Sequence, residues 1–202
     1  MVSASTLRRL RYRQELRTLI LDTAREMFLT EGFEAFSMRK LAEGVGYSPA
    51  ALYQHFASKE AIFEALVDES FSALLAAQGH AAASAAEAGP IESLRRGLRA
   101  YVRFGLEHPN EYRLAFLMPP SSNRPQSAVT AFDSLRRRVL ACVEAGVLRP
   151  INPELAAQAL WAAVHGVASL LIVKPSFPWV EPDLLIEQVI KNAIEGIVMP
   201  EK

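Results

Sequence analysis

Residues 38–55 place short and polar side chains next to a glycine, in a segment whose periodicity predicts two short helices. Ala42 is small enough to let a second helix approach, and Gly46 permits the positive φ that a tight turn requires. The outward positions of the second helix carry Ser48, Ala50, Ala51, Tyr53, Gln54 and His55. Short side chains let a helix enter a major groove, where polar ones reach phosphates or base edges. The segment predicts a helix-turn-helix, with an ordinary helical hairpin as the alternative.

A second group of residues is suited to lining a cavity for a small molecule. Its members are aromatic residues and histidines at helical spacing, namely Tyr101, Phe104, His108, Tyr112, Phe116, Trp161 and His165. Trp161 and His165 are four residues apart, so they share one face of a helix. Aromatic rings with a few polar tips are typical of pockets for ligands with an apolar body. The alternative for the whole group is plain core packing.

The sequence contains no arrangement typical of catalysis or metal binding. Its four histidines lie on different predicted elements, and Cys142 is the only cysteine. We find no nucleophile–base pair, no phosphate-binding loop and no metal-ligand spacing. We therefore predict a protein that is not an enzyme, with no catalytic residues, no metal site and no cofactor. Cys142 is expected to be a small core residue.

Composition and charge narrow the class of protein further. Half of the 202 residues are hydrophobic, and 22 basic residues balance 22 acidic ones, which excludes a disordered chain and a globally basic nucleic-acid coat. The single cysteine and the lack of a visible signal peptide favour the cytoplasm. Within residues 1–17, five arginines stand against Glu15 alone. This basic arm predicts contact with a polyanion, or else a solvated terminus.

The elements that must position these residues all have helical patterns. Apolar residues from Leu16 to Phe28 recur at i, i+3, i+4 and i+7. Ser37, Ser48-Pro49 and Asn152-Pro153 are typical N-caps, and residues 118–125 are expected to be a loop. We find no β-alternation. The prediction is an all-α fold of about nine helices, with an N-terminal helix-turn-helix domain and a C-terminal helical domain for ligand binding and dimerisation.

Two apolar helices near the C-terminus predict a homodimer. The stretch from Leu155 to Val173 is apolar on nearly every side and approaches the length of a membrane span. Its many alanines and flanking charges instead favour a helix buried within its own subunit and against a partner, with no membrane contact. The last helix, residues 184–198, has a broad apolar face that includes Ile194. The run Arg136 to Arg138 is expected to be a solvated helix face.

Residues 12–66 resemble the DNA-binding domain of TetR-type transcriptional repressors. The matching text is FLTEGFEAFSMRKLAEGVGYSPAALYQHFASKEAIFEAL, in which the AxGVG turn and the LYQHFxSKE run are the most specific parts. The resemblance implies that Ser37 and Arg39 meet phosphates at the start of one helix. It further implies that Tyr53 and His55 clamp phosphates and that Lys59 contacts the backbone of the duplex.

The same resemblance places Ser48, Ala50, Ala51 and Gln54 on the recognition helix. Gln54 is the residue best suited to reading an adenine edge, because its amide can donate and accept at once. Pro49 and Ala50 depart from the family pattern, in which a basic or polar residue and a glycine are common after the serine. The departure bears on the base contacts and leaves a second interpretation open, a non-enzymatic dimeric adaptor with a degraded DNA-reading head.

Residues 91–198 resemble the C-terminal domain of a TetR subfamily marked by Trp, His and Gly, here Trp161, His165 and Gly166 in LWAAVHGVASLLI. The upstream run LRAYVRFGLEHPNEYRLAFLM follows the same pattern. The resemblance implies an effector pocket and a dimer interface. The expected organisation is a DNA-binding domain over residues 1–60 and an effector and dimerisation domain over 61–202. The expected function is a ligand-responsive repressor, released from a palindromic double-stranded DNA operator by a small-molecule effector.

Overall fold

The structure is a computed structural model that describes residues 3–83, 88–118 and 125–199. Nine α-helices make up most of these residues: α1 (Ala4–Ala35), α2 (Met38–Val45), α3 (Pro49–Tyr53), α4 (Lys59–Ala83), α5 (Pro90–Glu107), α6 (Pro109–Tyr112), α7 (Gln126–Glu144), α8 (Pro153–Val173) and α9 (Pro182–Glu195). A π-helical segment, Arg113–Leu117, follows α6. Within the described ranges, extended pairing is limited to one antiparallel bridge between Leu148 and Val198. The all-α prediction is confirmed.

Helix starts follow the predicted capping residues. The Ser37 hydroxyl accepts a hydrogen bond from the backbone N–H of Lys40, and Ser48 accepts one from Ala51. Asn152 accepts from two backbone N–H groups in the first turn of α8. Each cap satisfies a donor that the first helical turn leaves without a partner, which explains why these helices begin where the sequence predicts.

Two elements differ from the expectation. α1 begins at Ala4, so the basic arm is a helix rather than a frayed terminus, and the Ser3 hydroxyl caps it by accepting from Thr6 N–H. The sequence after Pro109 predicts one short helix from Asn110 to Leu117, whereas the chain changes to π-helical geometry after Tyr112. The predicted loop over 118–125 lies largely outside the described residues.

The chain divides into two compact units, one of residues 1–69 with 113–125 and one of 70–112 with 126–202. The division falls within α4. The N-terminal unit is built around Phe28, whose ring stacks on Phe36 with centroids 4.1 Å apart and meets the edge of Phe63 at 5.3 Å. Leu41 and Leu52 are fully buried. This core holds α2 and α3 on α1, and it leaves the outer side of α3 exposed to solvent.

The C-terminal unit has α8 at its centre, in contact with α5, α7 and α9. α8 buries Leu160, Val164 and Ala168 completely, which accounts for much of its apolar composition. Among the described residues it is the one helix long and apolar enough to cross a membrane, a test that the core helix of a water-soluble protein also passes. Two ion pairs, Arg99 with Glu187 and Arg103 with Asp183, connect α5 to α9 and help to hold α9 in place.

Candidate nucleic-acid interface

The turn between α2 and α3 depends on Gly46. Its φ of 73° and ψ of 28° lie in the left-handed region, and its N–H bonds back to the end of α2. The Tyr47 N–H donates to Ala42 O at 3.0 Å, closing the turn. A side chain at position 46 would strain this conformation. The glycine therefore sets the angle at which α3 leaves α2, and the predicted helix-turn-helix is confirmed.

The predicted contact residues of α2 and α3 lie mostly on the surface. Ser48, Ala50, Tyr53 and Gln54 are exposed, whereas Ala51 is half-buried. Tyr53 keeps 54% of its surface exposed, so its ring and hydroxyl are accessible to another molecule. Its contact with DNA stays a prediction.

The two capping serines can serve a ligand while they hold the helices. Each hydroxyl uses an oxygen lone pair to accept from a backbone N–H, so its own proton stays available for donation. Ser37 and Ser48 can therefore donate to phosphate oxygens without uncapping α2 or α3. Arg39 is largely exposed, and its Nε lies 3.7 Å from Glu43, a pairing that a nearby phosphate would easily replace.

Lys59 is held against the body of the unit. Its Nζ donates to Phe33 O at 3.2 Å and lies 4.4 Å from the centre of the Phe33 ring. The remaining ammonium protons can still reach a phosphate, because an ammonium group has three donors. Contact between Lys59 and DNA stays a prediction, and the structure shows what positions the charge.

The N-terminal half of α1 brings two arginines of the predicted basic arm to the end of α3. Arg13 Nη2 donates to Gln54 O at 3.5 Å, and the Arg17 guanidinium lies 4.5 Å from the centre of the Phe56 ring. These cations flank His55, whose pKa is lowered by burial and then by the charges of both arginines. The end of α3 is therefore electropositive without a charged histidine.

A hydrogen bond joins the basic arm to the turn. The hydroxyls of Tyr12 and Tyr47 are 2.9 Å apart, linking α1 to the residue that follows Gly46. Arg8, Arg9 and Arg11 are exposed on the helix just before Tyr12. The spacing of polar residues along α1 was the available sequence signal, but only the fold shows that α1 reaches the turn.

In the C-terminal unit, four of the predicted ligand residues form a polar network. Trp161 Nε1 donates to the Tyr101 hydroxyl at 3.2 Å, and the hydroxyls of Tyr101 and Tyr112 lie 3.0 and 2.7 Å from His165 Nδ1. Burial raises the pKa of Tyr101 to about 12, raises that of Tyr112 and lowers that of His165. The tyrosines therefore keep their protons at neutral pH and His165 is mostly uncharged, while the donor and acceptor roles at Nδ1 depend on the tautomer of the ring.

Three further predicted ligand residues are Phe104, His108 and Phe116. Phe104 is buried and packs against the exposed His108 with ring centroids 5.2 Å apart. Phe116 is half-buried in the π-helical segment, which belongs to the N-terminal unit. Tyr101, Phe104 and His108 thus separate into the polar network at Tyr101 and a ring contact between Phe104 and His108 at the end of α5.

Known proteins match both units. Residues 20–66 match the family of bacterial regulatory proteins described as the tetR family, and residues 94–193 match the tetracyclin repressor-like C-terminal domain. The chain belongs to the TetR family. The match covers the helix-turn-helix and continues over α5, α7, α8 and most of α9, so it extends well beyond the reading helices.

Individual relatives match the chain over part of its length. The HTH-type transcriptional regulator UidR of Escherichia coli K12 is 44% identical over 54 residues, 27% of this chain and 28% of UidR. The HTH-type transcriptional activator FasR of Mycolicibacterium smegmatis is 31% identical over 105 residues, 52% of this chain and 47% of FasR. The matches span less than half the length of these relatives. The TetR family regulator PfmR of Thermus thermophilus has a similar solved structure, with a TM-score of 0.68, 27% identity and coverage of 87% and 97% of the two chains.

Proposed function

We propose that this TetR-family chain is a homodimeric transcriptional regulator that binds a palindromic DNA operator and responds to a small-molecule effector. The observation that carries the proposal is the exposed surface of α3, edged by Arg13 and Arg17 of α1 and by the capping serines. Its Ala50 and Ala51 keep the helix narrow enough for a major groove. UidR is a named transcriptional regulator and is 44% identical to this chain over 54 residues.

The proposed division of work on DNA follows from the chemistry of each side chain. Five side chains contact phosphates, which gives affinity for DNA without reading its sequence. They are Ser37, Arg39, Tyr53, His55 and Lys59. Gln54 is exposed at the end of α3 and reads an adenine edge. The proposal includes a location in the cytoplasm, because the target is DNA.

Dimerisation is supported by apolar residues left exposed in the C-terminal unit. Leu155 and Leu170 of α8 and Leu184 of α9 keep 62%, 49% and 68% of their surface exposed. Ala159 and Ala162 lie exposed on the same helix as the two leucines and are small enough to let another backbone approach. A second copy of this chain would cover this surface, and its two-fold axis would relate two recognition helices.

The effector is proposed to bind at the network of Tyr101, Tyr112, Trp161 and His165, with an apolar body and a polar group that exchanges hydrogen bonds with the hydroxyls. Binding would favour a dimer in which the recognition helices are wrongly spaced for successive major grooves, about 34 Å apart. Release from the operator would make the chain a repressor. Assignment to the Trp-His-Gly subfamily is part of this proposal and depends on Trp161, His165 and Gly166.

The test of DNA binding begins with selection of duplexes from a random pool by the purified full chain. The expected product is an inverted repeat with half-site centres about 10 base pairs apart. Fluorescence anisotropy then compares variants on the selected and a random duplex. Tyr53→Ala should weaken both to a similar extent, whereas Gln54→Ala should cost about 1–3 kcal/mol on the selected duplex only.

Gln126→Ala, an exposed glutamine at the start of α7, is the matched control and should leave both affinities unchanged. Failure to enrich any sequence, with no salt-dependent binding to random duplex, would refute the function and favour the adaptor.

A further inference from the structure

A cavity of about 320 Å³, broadly open to solvent, lies between the first turn of α5 and the middle of α7. Its polar lining consists of the hydroxyls of Ser93 and Ser134 and the guanidinium groups of Arg137 and Arg138, and Pro90 and Ala141 complete it. All these residues belong to the C-terminal unit, and none belongs to the network around His165. The volume is in the range of pockets that hold small molecules.

The positive charge of the two arginines in this cavity has no carboxylate partner among the described residues. Arg137 Nε donates to Asp133 O, and Arg138 Nη2 donates to Gln78 O at 3.1 Å, so each guanidinium is held by a backbone carbonyl and not by a carboxylate. The acids next to the two serines are engaged elsewhere, since Glu92 pairs with Arg95 and Arg96, and Asp133 pairs with Arg136.

Arg138 is half-buried, contrary to the expectation of a solvated helix face. Burial, and then the charge of Arg137, lower the pKa of Arg138. Gly97 makes room for it, because a Cβ built at position 97 would lie 1.8 Å from Arg138 Nη1. The guanidinium therefore lies directly against the backbone of α5. A desolvated cation beside a second cation is costly unless an anion joins them.

The start of α5 adds to the positive potential. Its N-cap is Gly89, which has no side chain to accept from the first-turn N–H groups, and the same turn contributes Pro90 and Ser93 to the cavity. The N-terminal end of a helix favours negative charge. A neighbouring cavity of about 280 Å³, which Arg137 also lines, differs because its lining includes Glu154 near Arg136.

We propose that the cavity between α5 and α7 is a binding site for a small dianion, a phosphate or a dicarboxylate, that pairs with Arg137 and Arg138 and accepts from Ser93 and Ser134. Two guanidinium groups match two negative charges, and planar donors suit both oxyacids. The site shares no residue with the proposed DNA-contacting surface or with the network around His165, so the regulator would have a second ligand-binding site.

The test is isothermal titration calorimetry of the full chain with inorganic phosphate and, separately, with succinate, each at constant ionic strength set with chloride. We expect saturable binding of at least one of them. Arg138→Gln and Arg137→Gln should each weaken it about tenfold or more, since each removes a charged hydrogen-bonding partner. Arg136→Gln removes the same charge from the same helix without touching the cavity, and it should bind as the wild type does.

Gly97→Ala tests the geometry without changing any charge, because the new methyl group must displace the Arg138 guanidinium. It should also abolish binding, and circular dichroism will show whether each variant is folded. Arg137 is exposed, so its variant should fold even if a change at Arg138 does not.

The proposal is overturned if neither anion binds more tightly than chloride, or if the folded Arg137→Gln and Gly97→Ala variants bind as the wild type does. Duplex binding by the same variants, measured without added anion, should be unchanged. Loss of duplex binding instead would assign the arginines to DNA and overturn the anion site, while lost anion binding with intact duplex binding leaves the regulator proposal standing.

Discussion

Removal of residues 1–11 should reduce the salt dependence of DNA binding without unfolding the protein. The deletion removes Arg8, Arg9 and Arg11, all exposed on the first part of α1. The first buried residue of α1 is Leu16, so no core contact is lost. Tyr12 remains and can keep its hydrogen bond to Tyr47, which holds the shortened helix at the turn.

The size of the expected change in salt dependence follows from the number of phosphates that the three arginines can neutralise. A helix rises 1.5 Å per residue, so Arg8 lies about 6 Å along the axis from Tyr12 and remains near the reading head. Each lost phosphate contact lowers the slope of log K against log salt by about 0.9, which gives about 2.7 for all three. Between about 50 and 200 mM salt, the wild type should then lose about 40-fold more affinity than the truncated chain.

The assay is fluorescence anisotropy on the selected operator and on a random duplex over that salt range. A full-length variant with Arg8, Arg9 and Arg11 all replaced by Gln is the matched control, because it retains the length of α1 while losing the charge. It should reproduce the truncation. Equal slopes for the wild type and both variants would refute the reasoning and show that the arm makes no phosphate contact.

Three further predictions concern the dimer, the histidine network and a helix cap. Leu170→Glu should give a folded monomer in sedimentation, while Leu140→Glu, at an exposed leucine on α7, should remain dimeric. If the Leu170→Glu variant is still a dimer, the exposed face of α8 is not the dimer interface. Burial lowers the folded pKa of His165, so the unfolded chain takes up the proton first and the free energy of unfolding should fall as pH drops below about 6.5. His165→Gln should flatten this fall in denaturant titrations, and an unchanged pH dependence would contradict it. Ser37→Ala should lower the free energy of unfolding by about 1 kcal/mol in the same titrations, since Lys40 N–H loses its acceptor, and an unchanged midpoint would show that water replaces the cap.

Helix starts and the helix-turn-helix could be predicted from the sequence because their causes are local. Ser37, Ser48 and Asn152 act within their own first turns, and Gly46 within a single turn. The apolar stripe of α1 likewise indicated which side is buried. These features need no knowledge of distant residues, which is why pattern and capping chemistry were sufficient.

The position of Ile194 could not be predicted in the same way. The apolar face of α9 suggests that Ile194 lies at the seam between subunits, but only 1% of the Ile194 surface is exposed within its own subunit. Ile186 and Ile190 are equally buried, with 1% and 0% of their surface exposed. An apolar stripe shows that a side is buried and not which partner buries it. Ile194→Glu would therefore unfold the C-terminal unit, and Leu170 is the better probe of dimerisation.

Arg138 illustrates the same limit for charge. In the sequence it is one of three consecutive arginines, a pattern typical of a solvated face. Its half-buried position depends on Gly97 of another helix and on the carbonyl of Gln78 of a third. Such a pocket is a property of tertiary packing, so no local pattern on α7 can reveal it.

The reading head is better understood as α3 together with α1 than as α3 alone. Pro49 and Ala50 leave the recognition helix with few side chains that can hydrogen-bond to bases, and Gln54 is the main exception. Arg13 and Arg17 lie beside the end of α3, and the Tyr12–Tyr47 bond holds α1 to its beginning. Under the proposed function, α1 would add cationic phosphate contacts to those of Tyr53 and His55, while sequence selectivity would depend mainly on Gln54. The departure at Pro49 and Ala50 is therefore compatible with a working DNA-binding head.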